Sequence, residues 1–179
     1  MGREVRMVPE NWQHPHKGKY ADGTLRYIPL FDGSRFQEQC DEWDLHCKMW
    51  NNGLKSDYNG GWKPLDGKEG VKTYKEWNGS RPVAKDYMPR WTENEKTHYM
   101  MYETCSEGTP ISPAFATPEE LARWLADTNA SAFADIGASY EAWLRIAKGG
   151  YACSAVYTPE NGLQSGAQAL NDACLKKGE

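Results

Sequence analysis

The sequence has no long run of apolar residues, which limits the classes of protein that it can encode. No stretch of its 179 residues approaches the roughly 20 apolar residues that span a bilayer. Met1–Glu10 also lacks the apolar core and small-residue cleavage site of a secretory signal. We therefore expect a soluble protein without a membrane partner, long enough to bury a substantial core.

Charge of one sign is also scarce. Charged residues make up 26% of the chain and the formal net charge is −4, with acids and bases interspersed. There is no basic stripe of the kind that displaces counterions from phosphates, so a nucleic-acid partner is disfavoured. The densest acidic groups, Glu38 to Asp44 and Glu119–Glu120, are too short to predict mimicry of DNA.

Motifs that hold phosphates or metals are missing. Neither a P-loop nor a Gly-x-Gly-x-x-Gly follows a predicted strand, so ordinary nucleotide enzymes are disfavoured and no cofactor is expected. Zinc needs about four Cys or His ligands, commonly in close pairs. The close pairs here are His14 with His16 and His46 with Cys47, and His46 is predicted to point off the apolar stripe that contains Cys47. We expect no metal site.

The cysteines are few and irregularly spaced. Their number is odd, and a chain of this size needs no disulfide framework. We therefore expect free thiols in a reducing compartment. The five are Cys40, Cys47, Cys105, Cys153 and Cys174.

Aromatic residues, in contrast, are plentiful and mostly polar: eight Trp and ten Tyr accompany four Phe. Rings with a polar atom suit half-buried positions and interfaces. The alternative is that they anchor a loop-rich fold to a modest core.

Alternating segments predict a small antiparallel sheet. Glu4 to Val8 alternates polar and apolar residues and stops at a proline, which cannot donate to a strand ladder. Asp22-Gly23 supplies the positive φ angles of a hairpin turn within 20–28, and 151–157 alternates again. Because strands and helices do not alternate along the chain, the predicted class is α+β, with four to five helices.

The clearest helical pattern starts near Ser34, the predicted N-cap, and stops at Asn51-Asn52-Gly53. Apolar residues recur along it at steps of four and three, which places Trp43 in the core and Glu42 in solvent. The stripe consists of Phe36, Cys40, Trp43, Cys47 and Trp50.

Capping signals predict further helices. Thr92 and Thr117 each precede a glutamate by three residues, the spacing of a capping box. The first is expected to start a helix through about Tyr102, and the second, with proline at its first position, to start another. Ser139 is expected to start a third that closes at Lys148-Gly149-Gly150. Weaker patterns cover 71–77 and 164–174.

We expect a single domain, residues 1–179, with an irregular insertion at about 51–91. The aromatics of the insertion indicate that it packs down, although loops of such length are uncommon in compact domains. The predicted core comprises Phe36, Trp43, Trp50, Leu121, Trp124, Leu125, Trp143, Leu144 and Ile146.

Several stretches carry a resemblance to a known family. They are Trp12-Gln13-His14-Pro15 with Tyr27-Ile28-Pro29-Leu30, Arg81-Pro82 through Tyr87-Met88-Pro89, and Met101 to Pro113 with Thr117-Pro118-Glu119-Glu120-Leu121-Ala122. Together they are similar to a family of small proteins, without an assigned activity, of tailed bacteriophages and prophages of proteobacteria. The likeness is most specific from Tyr102 to Leu125. It implies expression in the cytoplasm of an infected or lysogenic bacterium and brings no catalytic residues with it.

Glu103, Cys105 and Glu107 are the candidates for catalysis. Paired carboxylates around a polar loop can perform acid/base chemistry, and a nucleophilic cysteine needs a base within about 3 Å. If one helix ran from His98 to Cys105, the two would lie roughly 10 Å apart. The alternatives are a loop that shapes the turn after a helix and a small buried thiol.

The segment from Tyr58 to Trp91 contains the candidates for binding. It interleaves Trp and Tyr with the one local excess of basic over acidic residues. Aromatic and basic side chains together form hot spots of protein interfaces and can stack on single-stranded nucleic acid; a packed loop with solvated lysines is the alternative. The candidate residues are Trp62, Lys72, Tyr74, Lys75, Trp77, Arg81, Lys85 and Tyr87.

These observations predict a phage or prophage accessory protein in the bacterial host cytoplasm. It is expected to bind a bacterial host protein and to inhibit a defence system, in the manner of an anti-CRISPR or other anti-defence protein. A second hypothesis is a virion or assembly component. A third is a small enzyme with a site near Glu103 to Ser112.

Overall fold

The computed structural model describes residues 2–57, 59–134, 136–159 and 161–175 and, of residues 170, 171 and 173–175, the backbone alone. The fold is α+β, as predicted. The chain divides into two compact units: unit 1 is Met1–Leu30 with Trp91–Glu179, and unit 2 is Phe31–Arg90. Unit 2 is thus inserted into the chain of unit 1, and it contains most of the segment expected to be an irregular insertion.

The described residues contain both strands and helices in each unit. The strands are β1 (Gly2–Val8), β2 (His16–Lys19), β3 (Leu25–Tyr27), β4 (Leu54–Ser56), β5 (Trp62–Pro64), β6 (His98–Glu103), β7 (Thr109–Pro110), β8 (Tyr151–Cys153), β9 (Ala155–Thr158) and β10 (Gly162–Ser165). The helices are α1 (Phe36–Asn51), α2 (Tyr74–Asn78), α3 (Pro118–Asp127), α4 (Tyr140–Gly149) and α5 (Gly166–Leu175).

Unit 1 is built on a four-stranded antiparallel sheet in the order β7-β6-β1-β8. β1 is central: Val5 pairs with Met101 of β6, and Arg3 pairs with Ala152 of β8. β1 ends at Val8, before the proline, as predicted. The hairpin turn at Asp22-Gly23 is also confirmed, since β2 and β3 form a separate antiparallel pair and Gly23 has a φ of 87°.

Helices α3 and α4 pack against each other and against this sheet. Both predicted starts are confirmed, because Thr117 Oγ1 accepts the Glu120 amide at 3.2 Å and Ser139 Oγ accepts the Ala142 amide at 3.2 Å. Gly150 ends α4 in the left-handed conformation.

The predicted core residues of unit 1 lie at two depths. Four are at most 1% exposed: Leu121, Leu125, Trp143 and Ile146. Trp124 and Leu144 are half-buried and pack against this cluster. Met101 of β6 is fully buried in the same cluster, and sequence periodicity did not place it there.

The helix predicted from Thr92 through Tyr102 is wrong, because His98–Glu103 is strand β6. The capping signal is satisfied by a local turn in which the amide and hydroxyl of Thr92 both donate to Glu95 at 2.8 Å. Beyond it, Met100 to Tyr102 are each at most 5% exposed. A helix would bury one stripe of such a run, whereas a strand inside a sheet points successive side chains to opposite faces. Met101 packs in the core with α3 and α4, and Tyr102 contacts Trp12 and His14.

The segment 151–157, predicted as one strand, forms two. β8 pairs with β1, whereas β9 pairs with β10 in a separate hairpin. The break falls at Ser154, whose carbonyl accepts the Gly166 amide at 2.9 Å instead of a ladder bond.

A hydrogen-bonded network joins β6 to the N-terminal loop of unit 1. The buried Tyr102 hydroxyl accepts the Trp12 indole N–H at 3.2 Å and lies 3.3 Å from His14 Nδ1. His14 Nε2 lies 2.7 Å from the Ile28 carbonyl, so Nε2 carries the proton and Nδ1 accepts the Tyr102 hydroxyl. Burial lowers the pKa of His14 and raises the pKa of Tyr102 to about 12, so both side chains are neutral near physiological pH.

Arg6 extends this network to Leu30, where the chain leaves unit 1. Its guanidinium stacks 4.5 Å from the ring centroid of Tyr102, is ion-paired with Glu4 and donates to the Leu30 carbonyl at 2.6 Å. The Leu30 amide donates in turn to the Gly108 carbonyl at 3.2 Å. Gly108 has a φ of +94°, and a Cβ there would lie 2.0 Å from the Leu30 carbonyl, so only glycine fits.

Unit 2 begins with a 3-10 turn at Gly33–Arg35 that leads into α1. Ser34, the predicted N-cap, is itself capped: Asp32 accepts the Ser34 amide at 3.0 Å. The prediction that Ser34 is the N-cap is therefore wrong: the cap is Asp32, two residues earlier, because the chain enters α1 through the 3-10 turn. The predicted stop is confirmed, with Gly53 at a φ of 76°.

Two members of the apolar stripe of α1 are buried: Cys40 in its first half is 1% exposed, and Trp50 at its end is 4% exposed. Trp43, predicted to be core, is half-buried, and its indole N–H donates to the Gly79 carbonyl at 3.2 Å. The four cysteines whose side chains are described, Cys40, Cys47, Cys105 and Cys153, are free thiols. The side chain of Cys174 lies outside the described residues.

The two ends of unit 2 are hydrogen-bonded to each other. The Phe31 amide donates to the Asp86 carbonyl and the Met88 amide to the Phe31 carbonyl, both at 2.9 Å. A Cβ on Gly33 would lie 2.1 Å from the Met88 carbonyl. The chain therefore enters and leaves unit 2 at neighbouring points.

The two capping boxes provide a matched pair of substitutions. Thr117→Ala should lower the free energy of unfolding of unit 1 by about 1 kcal/mol, because the Glu120 amide at the start of α3 loses its acceptor. Thr92→Ala, in the same sequence pattern but without a helix, should cost only about 0.3 kcal/mol. Urea denaturation followed by hydrogen exchange at buried unit 1 amides measures both. Equal losses would contradict this assignment of the two sites.

The contact between Gly108 and Leu30 provides a second test. Gly108→Ala should destabilise unit 1 by roughly 2 kcal/mol or more, since a methyl group there both occupies a left-handed conformation and displaces the Leu30 carbonyl. Gly162→Ala is the control, because Gly162 also has a positive φ of +68° but has nothing within 4 Å of a new Cβ. A loss at Gly108 no larger than at Gly162 would show that the close approach is unimportant.

Candidate functional site

An aromatic cleft of about 430 Å³ opens in unit 2. This volume is in the usual range of small-molecule and cofactor sites, about 300–1,000 Å³. The residues that line it are Glu42, His46, Trp50, Leu54, Lys55, Ser56, Trp62, Lys63, Tyr74, Trp77 and Asn78. We refer to these residues as the aromatic cleft.

Three elements build the cleft. α1 contributes Glu42, His46 and Trp50, which share a face because they are spaced four residues apart. The antiparallel β4-β5 hairpin contributes a second wall. α2 contributes the third: its capping box of Thr73 and Glu76 fixes the start of this five-residue helix, which would be too short to be stable alone.

Tyr74 is the centre of the aromatic packing. It is 8% exposed, and its ring centroid lies 5.5 Å from that of Trp43, 5.8 Å from His46 and 5.9 Å from Trp50. His46 in turn contacts Trp62 edge-on at 4.9 Å. Pairs at these distances and tilts are favourable for aromatic rings, so the walls are held in place without a ligand.

Trp77 closes the cleft on the α2 side and is its most exposed ring. It packs 5.5 Å from Trp50 and remains 44% exposed. Trp50 is itself anchored, because its indole N–H donates to the Lys72 carbonyl at 3.1 Å. Trp77 is thus a large apolar ring exposed to solvent. The ring beneath it, Trp50, already has a hydrogen-bond partner for its indole N–H.

One of the two lysines that line the cleft, Lys55, is neutralised by carboxylates of the same unit. Lys55 Nζ lies 2.7 Å from Glu69 and 3.7 Å from Asp66, and 5.9 Å from the ring centroid of Trp77. The hydrogen bond that Lys55 donates to Glu69 lowers the pKa of Glu69 to about 2 and raises the pKa of Lys55. This pair ties β4 to the loop that leads into α2, and it neutralises the charge of Lys55.

The structure brings together three of the eight residues predicted to bind: Trp62, Tyr74 and Trp77 line the cleft. Lys72 and Lys75, near and within α2, are exposed, as is Lys85 farther along the chain. These three lysines therefore remain accessible to a partner.

The other two predicted residues make contacts within unit 2. Arg81 is held by Asp44 in a two-pronged pair, with both distances 2.9 Å, and this pairing raises the pKa of Arg81 and lowers the pKa of Asp44. Tyr87 donates to Gln39 and packs 4.8 Å from Phe36. Both stabilise α1 and do not line the cleft.

His46 and Lys55 are cleft residues that the sequence argument missed. The prediction that His46 points off the stripe of α1 is wrong, because the stripe is wider than five residues and His46 is half-buried against Trp62 and Tyr74. The signal that identifies it is the four-residue spacing to Trp50. Lys55 carries no local signal, since its partners come from the following loop.

The residues predicted as candidates for catalysis lie at the end of β6 and in the turn that follows it. Glu103 is ion-paired with Arg3 at 2.8 Å, and Glu107 is exposed with a φ of 59°. Cys105, expected otherwise to be a buried thiol, is exposed in the turn that follows β6. Desolvation and the neighbouring Glu103 raise the pKa of Cys105, which opposes formation of a nucleophilic thiolate.

Within the described ranges, no helix combines the length and apolar character needed to cross a bilayer. Over the same ranges, no three His, Cys, Asp or Glu side chains cluster closely enough to hold a metal ion. No protein-family model, curated protein or solved structure matches the chain.

The Lys55–Glu69 pair predicts a pH dependence for unit 2. Because the pKa of Glu69 falls from 4.5 to about 2 on folding, its contribution to stability is complete above pH 4.5 and is lost as the pH falls toward 2. Glu69→Gln should therefore be less stable than the parent at neutral pH, with the difference shrinking through this window. Asp86→Asn, at an exposed carboxylate of the same unit, should keep the parent's acid profile. Urea melts from pH 7 to pH 2 measure the profiles; parallel profiles for Glu69→Gln and the parent would contradict the pairing.

Proposed function

We propose that this protein acts by binding another protein, and that the aromatic cleft with its neighbouring lysines is the binding surface. The observation that carries the proposal is Trp77, a 44% exposed ring on a rigid aromatic support. Rings held in place before binding lose little conformational freedom on association, and Trp and Tyr are the residues in which interface energy concentrates.

The lysines support the same surface. Lys72 and Lys75 lie immediately before and within α2, which also carries Trp77. Exposed charges beside an apolar anchor raise the association rate and select partners of opposite charge, while contributing less to the free energy of binding. We therefore propose that the partner presents an acidic surface with an apolar side chain that packs on Trp77.

The partner that we propose is a bacterial host protein, and the action that we propose is inhibition of a defence system. The likeness of the Tyr102 to Leu125 stretch to phage and prophage proteins supports this setting. Inhibition by binding needs no activated nucleophile, which agrees with the raised pKa of Cys105. The cytoplasm of the infected or lysogenic cell is the proposed site of action.

Variants of the cleft test the proposal. A tagged full-length chain, expressed in a proteobacterial host, should co-purify with one predominant host protein that rebinds when both are purified. Trp77→Ala should weaken this binding by roughly 30-fold or more, the loss typical of an interface hot spot. Charge reversal at Lys72, Lys75 and Lys85, in a chain that keeps Trp77, should also weaken the binding and should make the dissociation constant less sensitive to salt. Calorimetry on the purified pair gives the dissociation constants.

The controls lie in unit 1. Charge reversal at the exposed Lys17, Lys19 and Arg26 changes the net charge equally and should leave binding within threefold. Glu103→Gln and Cys105→Ser should leave both binding and phenotype unchanged. Loss of phenotype in those two variants while binding persists would favour the enzyme hypothesis, and stable incorporation of the protein into phage particles would favour the virion hypothesis.

A further inference from the structure

A second pocket, of about 540 Å³, lies in unit 1. It shares no lining residue with the aromatic cleft, and a ligand there would go beyond the function proposed above. Its lining residues are Glu10, Trp12, Gln13, His14, His16, Leu25, Tyr27, Met100, Pro110, Ile111, Ser112, Pro113, Ala114 and Trp124. Apolar and aromatic side chains predominate, as in most sites for small molecules.

The aromatic wall of this pocket is fixed by contacts within unit 1. Trp12 meets His14 edge-on at 6.0 Å between ring centroids, and His14 meets Tyr27 edge-on at 5.5 Å. The indole N–H of Trp12 donates to Tyr102, and Trp12 also packs 4.9 Å from Trp91. Rings held in this way offer their faces and edges to a ligand without rearrangement.

The buried polar groups of the pocket are already engaged. Both nitrogens of His14 are used, one toward Ile28 and one toward Tyr102. The Ser112 hydroxyl accepts the Met101 amide at 2.9 Å and donates to the Pro113 carbonyl at 2.8 Å. These groups hold the wall of the pocket in place. Polar contacts to a ligand would therefore come from the exposed lining residues.

Charge among the lining residues has one sign. Glu10, exposed, is the carboxylate of the set, and the set contains no lysine or arginine. Arg6, which stacks on Tyr102, is ion-paired with Glu4. A pocket with aromatic rings and a carboxylate attracts cations through the ring quadrupoles and through direct ion pairing, and it disfavours anions.

We propose that this pocket binds a small organic cation, an ammonium group carried on an apolar or aromatic body. The apolar body packs against Trp12, Tyr27 and Trp124, and the cationic group pairs with Glu10. The volume accommodates a ligand of about the size of a substituted benzylammonium.

Methyl NMR on the full-length protein tests this inference. Met100 is 5% exposed and lines the pocket, so its ε-methyl signal, assigned with Met100→Leu, reports occupancy locally. Benzyltrimethylammonium should shift this signal saturably. Benzyl alcohol, its neutral counterpart, should bind at least about tenfold more weakly, and phenylacetate should not shift the signal.

Two variants locate the cation. Glu10→Gln should weaken binding of benzyltrimethylammonium by about tenfold, whereas Glu93→Gln, at a carboxylate 88% exposed and outside the pocket lining, should leave it unchanged. N-acetyl-arginine methylamide, titrated in the same way, represents a peptide side chain and should bind more weakly. The inference fails if phenylacetate or benzyl alcohol binds as tightly as the cation, if no probe gives a saturable shift, if Glu10→Gln has no effect, or if the blocked arginine binds at least as tightly.

Discussion

The phenol of Tyr102 lies where three parts of unit 1 meet. Its hydroxyl accepts a hydrogen bond from the indole N–H of Trp12 and donates one to His14. The guanidinium of Arg6 stacks on its ring. Through Arg6 and Gly108 the same network fixes Leu30, from which unit 2 departs. Because these groups are buried, loss of a partner that leaves a donor or acceptor unsatisfied costs about 1–3 kcal/mol.

The parts of the fold that could be predicted are those determined by residues close to one another in the sequence. Thr117 and Ser139 cap α3 and α4 through amides three residues away, and the α1 stripe lies within one helix. β6 could not be predicted in this way, because Thr92 and Glu95 carry the same local pattern as a helix start. This segment forms a strand because it pairs with β1, which is far away in the sequence. No local pattern in the sequence of β6 indicates that pairing.

The candidate site was predictable in its aromatic part and not in its electrostatic part. Trp62, Tyr74 and Trp77 belong to a segment whose composition favours an interface, and they converge in the cleft. Which cations are already paired depends on carboxylates elsewhere in the chain, since Asp44 engages Arg81 and Glu69 engages Lys55. The composition of a segment shows how many charged residues it contains. Which of them form ion pairs depends on the folded structure.

The hydrogen bonds that join Phe31 to Asp86 and Met88 have a consequence for the order in which the chain folds. Strands β1 and β6 pair across the whole inserted segment, and bringing such distant strands together requires closing a long loop. If unit 2 folds first, its joined ends shorten that loop about threefold, which lowers the entropic cost of closure by about 1 kcal/mol. Early folding of unit 2 would therefore accelerate formation of the central sheet of unit 1, and a variant with a slow unit 2 would assemble that sheet slowly even with every contact of the sheet intact.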